Sequence, residues 1–265
     1  MKLRIRHETR YAFETPVAYG LQQVRLTPKS TPFQTILSWD VSVLGGAKEV
    51  SYSDHNANHV DLISYDRDAT EVTLVSEGEV EVTETHGMVG KHRGPAPLWF
   101  YKGTTDLTKF GAGAKALITQ VEGETDLDRL HALSRVIHTN VSYEIGSTSP
   151  TGSAEEAISA GKGVCQDHSH IFLACAREMG FPARYVSGYL MMDDRVVQDA
   201  THAWAEAHIP DLGWVGFDVS NAISPDVRYV RVATGLDYAG AAPITGTIYG
   251  GSGEQLSVQI EVAQQ

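Results

Sequence analysis

The amino-acid sequence predicts an α+β fold, in which an all-β, sandwich-like segment precedes a segment that combines helices and strands. Two observations carry this prediction. Apolar and polar residues alternate with a period of two over residues 1–88, whereas apolar residues recur at helical spacing over residues 127–141. Between these segments, residues 89–104 contain several Gly and Pro and no periodicity. We therefore expect a β-domain over residues 1–88, a linker over 89–104 and a second domain over 105–265 that ends in a strand.

The β-domain is predicted from short alternating runs, such as Leu3 and Ile5 near the N-terminus and Val72 and Leu74 further along. Alternation of this kind is typical of strands that bury one face. Turn-forming residues separate the runs at positions 27–28, 45–46, 56–58 and 77–78. Short strands joined by frequent turns favour a small antiparallel sandwich or barrel.

The helices of the second domain are predicted from their start signals. Thr125 with Asp128, and Ser153 with Glu156, have the spacing of a capping box. A third helix is expected to begin at Cys165, after a glycine turn at residues 161–163, and to continue as an apolar run to residue 179. The second domain therefore starts as a helical layer.

Beyond residue 180 the pattern returns to strand. Residues 183–192 form one apolar run, and residues 203–209 and 214–219 resemble the two arms of a hairpin. The tail, residues 255–262, alternates as a final strand, whose exposed edge could pair with a second copy of the chain. Residues 235–253 are rich in Gly and Ala, and we expect a loop there that is long enough to cover a site.

The charge of the chain narrows the classes of partner. The formal net charge is -12, and no Lys/Arg cluster exceeds two adjacent residues, whereas a nucleic-acid-binding protein needs a basic patch. No apolar run is long enough to span a bilayer, and an acidic surface weakly repels anionic membranes. The N-terminus lacks the continuous apolar segment of a secretory signal. We therefore predict a cytoplasmic protein with neither nucleic-acid nor membrane partners.

Cys165 is the candidate nucleophile. The first amides of a helix are unpaired and carry partial positive charge, which favours a thiolate. The other cysteine, Cys175, lies in the same predicted helix, roughly 15 Å away by the helix rise, which is too far for a disulfide. Two unpaired cysteines fit a reducing cytoplasm. Because Cys175 falls in the apolar run, we expect it in the core.

A cysteine nucleophile needs a base, and the base needs an acceptor that orients it. His202 begins the first arm of the predicted hairpin and Asp218 lies near the end of the second, so the hairpin would bring them together. Side chains alternate between faces along a strand, so the two share a face only if paired residue numbers sum to an even value. A regular four-residue loop makes that sum odd. We therefore predict an odd-length loop or a β-bulge in this hairpin.

Three motifs, in this order, resemble the bacterial transglutaminase-like proteins: residues 163–167 (GVCQD), 201–204 (THAW) and 213–218 (GWVGFD). Further segments are similar to the strand after the cysteine helix, the N-terminal β-domain and the tail of that family: residues 182–190, 11–28, 54–60 and 237–246. The resemblance thus covers nearly the whole chain. It implies a papain-like transglutaminase core, with helices packed on an antiparallel sheet or barrel, preceded by a β-sandwich.

The resemblance also implies a catalytic triad, in which Cys165 is the nucleophile, His202 the general base and acid, and Asp218 the orienting carboxylate. The implied chemistry is acyl transfer, in which the thiolate attacks a carboxamide or peptide carbonyl and an amine or water resolves the thioester. The backbone N–H of Cys165 is a candidate oxyanion donor. The substrate would be a peptide or protein, and no cofactor is implied. Candidates for binding the substrate or ordering the site are Gln166, Asp167 and Trp204.

One departure from the family pattern follows the acidic residue, where this chain has Val219 and Ser220 in place of a frequent Pro-Thr. Two other functions stay open, a cysteine peptidase or amidase with water as acceptor, and a non-enzymatic protein-binding module on the same fold. A zinc site formed by Cys165, His168, His170 and His202 is disfavoured. His170 does not share a helix face with Cys165 and His168, so four ligands would not converge.

Overall fold

The structure of the protein is a computed structural model that describes residues 1–198 and 200–265. Nearly all of the strands belong to two antiparallel sheets, with a helical layer on one of them. The α+β fold with an N-terminal β-domain is therefore confirmed. The strands are β1 (Lys2–Val24), β2 (Gln34–Leu44), β3 (Gly46–Ser53), β4 (His59–Tyr65), β5 (Ala69–Val82), β6 (Met88–Gly90), β7 (Ser142–Tyr143), β8 (Lys162–Gly163), β9 (Ala183–Leu190), β10 (Val197–Gln198), β11 (His202–Ile209), β12 (Gly213–Phe217), β13 (Tyr229–Gly235), β14 (Ile244–Gly250) and β15 (Gln255–Gln264).

The helices are fewer and shorter in total. They are α1 (Ala112–Ile118), α2 (Asp126–Asn140), α3 (Ala154–Ala160), α4 (Cys165–Glu178) and α5 (Tyr238–Ala241), with two 3-10 turns at Leu98–Lys102 and Asp106–Thr108. Both predicted capping boxes are present, at Thr125 before α2 and at Ser153 before α3. Within the described ranges, no helix combines the length and the apolar character that crossing a membrane requires.

The first sheet is organised by the long strand β1. Its first half pairs with β5 on one side and β15 on the other, and its second half pairs with β4 and β14. The pairing is irregular between Ala12 and Val17, where the strand passes from one set of partners to the other. Each half covers its own apolar cluster, one around Leu3 and Ile5 and the other around Val24 and Ile63. This arrangement gives the sandwich-like character that the alternating sequence predicts.

The sheet differs from the sequence-based division of the chain at its C-terminal end. Strands β14 and β15, which the sequence places in the domain over residues 105–265, both pair with β1 of the N-terminal sheet. The predicted loop over residues 235–253 is instead a helical turn, α5, followed by β14. Likewise β6, inside the predicted linker, pairs with β12 of the second sheet. These pairings join residues far apart in sequence, which local patterns do not reveal.

The turn predicted at residues 77–78 is also wrong. Gly78 lies inside β5, between β1 and β2. A Cβ atom there would lie 2.1 Å from the carbonyl oxygen of Ser38, so the close approach of β2 requires glycine. A glycine in a strand thus marks a contact between backbones here, and not a reversal of the chain.

The second sheet has the strand order β13-β9-β11-β12-β6. Helix α4 packs on β11, and odd-numbered residues of the hairpin, such as Ala205 and Phe217, join the apolar cluster beneath it. Even-numbered residues of the hairpin, such as Trp204 and Trp214, belong to clusters outside that core. The two faces of the hairpin are therefore chemically distinct, because successive side chains of a strand alternate.

The hairpin register confirms the parity prediction. Ile209 pairs with Gly213, so the loop has three residues, and every pair along the two arms sums to an even number. Asp211 and Gly213 have positive φ angles of 67° and 86°. Aspartate tolerates this conformation and glycine adopts it without strain, which suits a three-residue loop. His202 and Asp218 therefore lie on the same face of the hairpin.

Candidate active site

Cys165 is the first residue of α4, as predicted, and its thiol is free and only partly buried. The helix starts there because Gly161 ends α3 in the left-handed conformation, with φ of 65°, and the chain then turns. Cys175 lies in the core of the same helix with no exposed surface. Burial raises the pKa of the Cys175 thiol to about 12, so Cys175 is not available for chemistry near neutral pH.

His202 and Asp218 form the central pair of the site. The Nε2 atom of His202 lies 2.6 Å from Oδ2 of Asp218, and both side chains are buried. Since Nε2 donates to the carboxylate, Nδ1 is the nitrogen left to exchange a proton with another group. This is the pairing that the sequence predicts for a base and its orienting acceptor.

Asp218 is held as a carboxylate by three further hydrogen bonds. Its oxygens accept from the Tyr229 hydroxyl at 2.7 Å, the Asn221 side-chain amide at 2.7 Å and the Asn221 backbone N–H at 3.2 Å. Burial alone would raise the pKa of Asp218, but the positive charge of His202 and these hydrogen bonds outweigh it and lower the pKa. The carboxylate is therefore fixed in both position and charge.

Burial also acts on His202, where it lowers the pKa. The charge and the hydrogen bond of Asp218 raise the pKa of His202, and Cys165 raises it further. Together they outweigh burial, so the pKa of His202 rises to about 10. The contribution of Cys165, which includes a hydrogen-bond interaction, places the thiol beside the imidazole. Trp204 stacks on His202 with ring centroids 6.2 Å apart and planes at 26°, so it restricts the ring.

Asp167 orders the loop that carries Cys165. Its buried Oδ2 accepts from the Val164 backbone N–H at 2.8 Å and from the Thr148 hydroxyl at 2.6 Å. Gln166 makes a parallel link, because its side-chain amide donates to the Pro150 carbonyl at 2.7 Å. Both residues therefore tie the start of α4 to residues 148–150. These contacts support a role in ordering the site.

His168 and Ser220 join the start of α4 to the end of β12. The Nδ1 atom of His168 lies 2.9 Å from the Ser220 hydroxyl, and its Nε2 atom lies 3.0 Å from the Val141 carbonyl. Both ring nitrogens are thus engaged within the protein. Among residues 1–198 and 200–265, no group of three His, Cys, Asp or Glu side chains is arranged to hold a metal ion. Ser220, a departure from the family pattern, acts here as a partner of His168.

Tyr143 is an additional side chain at the site. It is 49% exposed, and its ring centroid lies 6.2 Å from that of His168, one turn after Cys165. Burial raises the pKa of Tyr143 to about 12, with further contributions from the negative charges of Cys165 and Asp218. The ring therefore lies beside the first turn of α4 and remains accessible from solvent.

Comparison with known families agrees with this geometry. A family model described as the transglutaminase-like superfamily matches residues 115–219, which include Cys165, His202 and Asp218. A second, described as the bacterial transglutaminase-like N-terminal region, matches residues 3–81. The chain belongs to the bacterial transglutaminase-like family. Membership of this family, together with a thiol beside a histidine–carboxylate pair, indicates a cysteine-dependent enzyme.

Relatives of this transglutaminase-like chain span its whole length or its parts. An uncharacterized protein of Mycobacterium leprae is 28% identical over 280 residues, which cover 99% of both chains. An uncharacterized protein of Mycobacterium bovis is 41% identical over 130 residues, 45% of this chain and 41% of its own. The solved structure of a "Putative Cysteine Protease" from Cytophaga hutchinsonii has a TM-score of 0.80 at 21% identity, covering 99% of this chain and 90% of that one. At this identity the likeness shows the fold alone.

Sequence reasoning missed three residues of this transglutaminase-like site: Asn221, Tyr229 and Tyr143. Asn221 follows Asp218 by three residues, and that spacing, typical of an acceptor bonded to a nearby backbone N–H, was a usable signal. Tyr229 comes from β13, 11 residues after Asp218, and Tyr143 comes from β7, which belongs to a different sheet. No local pattern links them to it.

Proposed function

We propose that this transglutaminase-like protein catalyses acyl transfer from a carboxamide or peptide bond through a thioester on Cys165. The observation that supports it most strongly is the buried His202–Asp218 pair beside a partly exposed thiol at a helix start. Nucleophile, base and orienting acceptor are the three parts that covalent catalysis by cysteine needs.

The reaction begins with proton transfer from the Cys165 thiol to the His202 imidazole. Nδ1 of His202 takes the proton of Cys165, and the raised pKa of His202 favours this transfer. The thiolate forms a C–S bond to the substrate carbonyl carbon, and the C=O electron pair moves onto oxygen. The backbone N–H of Cys165 is placed to donate to that oxygen, because the first amides of a helix have no partner within it.

The collapse of this adduct re-forms the carbonyl and breaks the C–N bond, while Nδ1 of His202 gives its proton to the departing amine. An amine or water then attacks the thioester, His202 accepts its proton, and the C–S bond breaks to regenerate Cys165. Asp218 keeps Nε2 protonated throughout, so Nδ1 performs both transfers.

The test is selective alkylation combined with substitution. Iodoacetamide with mass mapping is expected to label Cys165 in the folded protein and to leave Cys175 unmodified. The substitution Cys165→Ala should abolish acyl release from a glutamine-containing peptide, whereas the matched variant Cys175→Ala should retain it. Preferential labelling of Cys175, or full activity in Cys165→Ala, would contradict the proposal.

Hydrolysis by the same triad is the second candidate, because the structure from Cytophaga hutchinsonii carries the name of a cysteine protease. The two functions share every step up to the thioester and differ in the acceptor. A glutamine peptide supplied with a primary amine gives a new amide if an amine is used, and only the free acid if water is used. A non-enzymatic binding role is disfavoured because Cys165 is unpaired and only partly buried.

The remaining predictions concern surroundings and partners. We propose a cytoplasmic protein that acts on peptides or proteins without a cofactor and without nucleic-acid or membrane partners. Subcellular fractionation of the native host, followed with an antibody, tests the location. Recovery of the protein with the periplasmic or membrane fraction would contradict it.

A further inference from the structure

A second polar region lies at the other end of the hairpin from the candidate active site. A pocket of about 510 Å³ opens there, lined by residues 29–33, 56–57, 89–91 and 93–94, and by Arg184, Trp214 and Arg231. Trp214 is four residues before Asp218 in sequence, which is roughly 13 Å along a strand. None of Cys165, His202 and Asp218 lines this pocket, so it is separate from the proposed chemistry.

Five cationic side chains line this pocket, which we call the cationic pocket: Lys29, Lys91, Arg93, Arg184 and Arg231. They are five of only 21 Lys and Arg in a chain whose net charge is -12. Among residues 1–198 and 200–265, no acidic residue lines the pocket. The pocket therefore has the opposite charge to the chain as a whole, and such a concentration of one sign in a concave site attracts an oppositely charged ligand.

The inner wall holds two arginines against one carboxylate. Glu206 has no exposed surface and accepts from Arg184 at 2.6 Å and from Arg231 at 2.9 Å. One negative charge cannot balance two guanidinium groups, so this wall keeps an excess positive charge. Arg184 is also held in place by Trp214, because its guanidinium carbon lies 3.9 Å from the ring centroid.

Lys29, on the facing wall, is also affected by the excess positive charge. Burial lowers the pKa of Lys29 to about 8, and the nearby charge of Arg231 lowers it further, whereas Asp54 acts in the opposite sense. Asp54 is itself shared with Arg25, 3.5 Å away. The Lys29 ammonium donates to the carbonyl of Ala57, so it is positioned at the pocket wall.

Lys91 and Arg93 stand at the open side of the pocket. Both are exposed, and neither has an ion-pair partner within 4.0 Å among residues 1–198 and 200–265. Their charges are therefore available to a ligand. Because they are exposed, replacing them should leave the fold intact.

We propose that the cationic pocket binds a small ligand that carries a phosphate group. Five cations around one buried carboxylate match the two or more negative charges of a phosphate better than the single charge of a carboxylate. Arginine and lysine are the usual donors to phosphate oxygens. The volume lies within the range of pockets for small molecules, and Phe33 and Trp214 supply apolar walls for the rest of the ligand.

The test measures binding of pyrophosphate to the full chain by isothermal titration calorimetry at constant ionic strength. The wild type should bind it saturably at one site, and inorganic phosphate should compete. The variant Lys91→Ala/Arg93→Ala should bind at least about tenfold more weakly, since it loses two charge-assisted contacts. The control Arg4→Ala/Arg67→Ala removes the same charge from exposed positions outside the pocket and should bind within about twofold of the wild type.

Circular dichroism and the thermal midpoint establish that both double variants are folded. Lys29→Gln provides a second variant, on the facing wall, and should also weaken pyrophosphate binding. Absence of saturable binding, or an equal loss in the control, would overturn the proposal. Equally tight binding of citrate would overturn the assignment to phosphate. None of these outcomes depends on acyl transfer, so they are independent of the proposed function.

Discussion

Two clusters of buried charge lie on the same face of one hairpin, and they differ in what their charges can do. At one end, His202 pairs with Asp218 beside a partly exposed thiol. At the other end, Glu206 pairs with Arg184 and Arg231 beneath Trp214. The first contains an imidazole beside a thiol, two groups that can exchange a proton, whereas the second contains only guanidinium groups and a carboxylate.

The two clusters show that a buried carboxylate can serve either a reaction or the stability of the fold. Both clusters satisfy their carboxylate with several donors, so burial and hydrogen bonding alone do not identify an active site. What distinguishes the His202–Asp218 end is a second ring nitrogen, which Asp218 does not occupy, and a nucleophile beside the imidazole. Substitutions at the His202–Asp218 end should therefore lower activity, and substitutions at the Glu206 end should lower stability without removing a reacting group.

The largest effect is expected at Asp218. The substitution Asp218→Asn should lower kcat/KM by about 10³–10⁴-fold, because an amide no longer fixes the His202 tautomer or stabilises its positive charge. Steady-state kinetics with a glutamine peptide measures it. The control Asp40→Asn changes a carboxylate in β2, away from the site, and should keep the wild-type rate. A loss of less than about tenfold in Asp218→Asn would show that His202 is oriented by another group.

A large loss of stability is expected at Glu206. The substitution Glu206→Gln leaves Arg184 and Arg231 without a buried counter-charge, which costs about 3–5 kcal/mol of the free energy of unfolding. Urea denaturation measures it, with the exposed Glu81→Gln as control. Unchanged stability in Glu206→Gln would mean that the two arginines are solvated and that the two clusters are less alike than their burial indicates.

The pH dependence of stability should distinguish the His202 end. The pKa of His202 is raised to about 10 in the folded protein from an unfolded value near 6.5. Its contribution is therefore fully present below about pH 6.5 and is lost as the pH rises through about 10. The difference in unfolding free energy between wild type and His202→Gln, followed from pH 6 to 10.5, should shrink with rising pH. A constant difference would contradict the charged pair.

The smallest effect is expected at Tyr229. The substitution Tyr229→Phe removes one of several donors to Asp218 and should lower kcat by about tenfold, the value of one hydrogen bond to a charged group. KM should stay unchanged, because the hydroxyl lies behind the carboxylate and away from the substrate. Tyr249→Phe, at a 73% exposed position, is the control. A change in KM alone would place Tyr229 in substrate binding instead.

Much of the fold and of the site could be predicted from residues close together in sequence. Capping boxes, the start of α4 at Cys165 and the odd-length hairpin loop are set by local propensities and by the alternation of side chains. The placement of β14 and β15 could not be predicted in this way, because the pairing of strands depends on contacts between distant segments. The position of Gly78 inside β5 could not be predicted for the same reason. A glycine that indicates a turn locally can also allow two backbones to pack closely, and only distant contacts decide between the two.

The sequence by itself determined the residues of the proposed triad and their order along the chain, because helix starts and hairpins are local. Only the tertiary structure decided which donors hold Asp218, which ring nitrogen of His202 bonds to it, and that Tyr143 lies beside the first turn of α4. It alone also gathered five cations into one pocket of an acidic chain. These features depend on packing between segments far apart in sequence, and burial there sets both hydrogen bonding and charge.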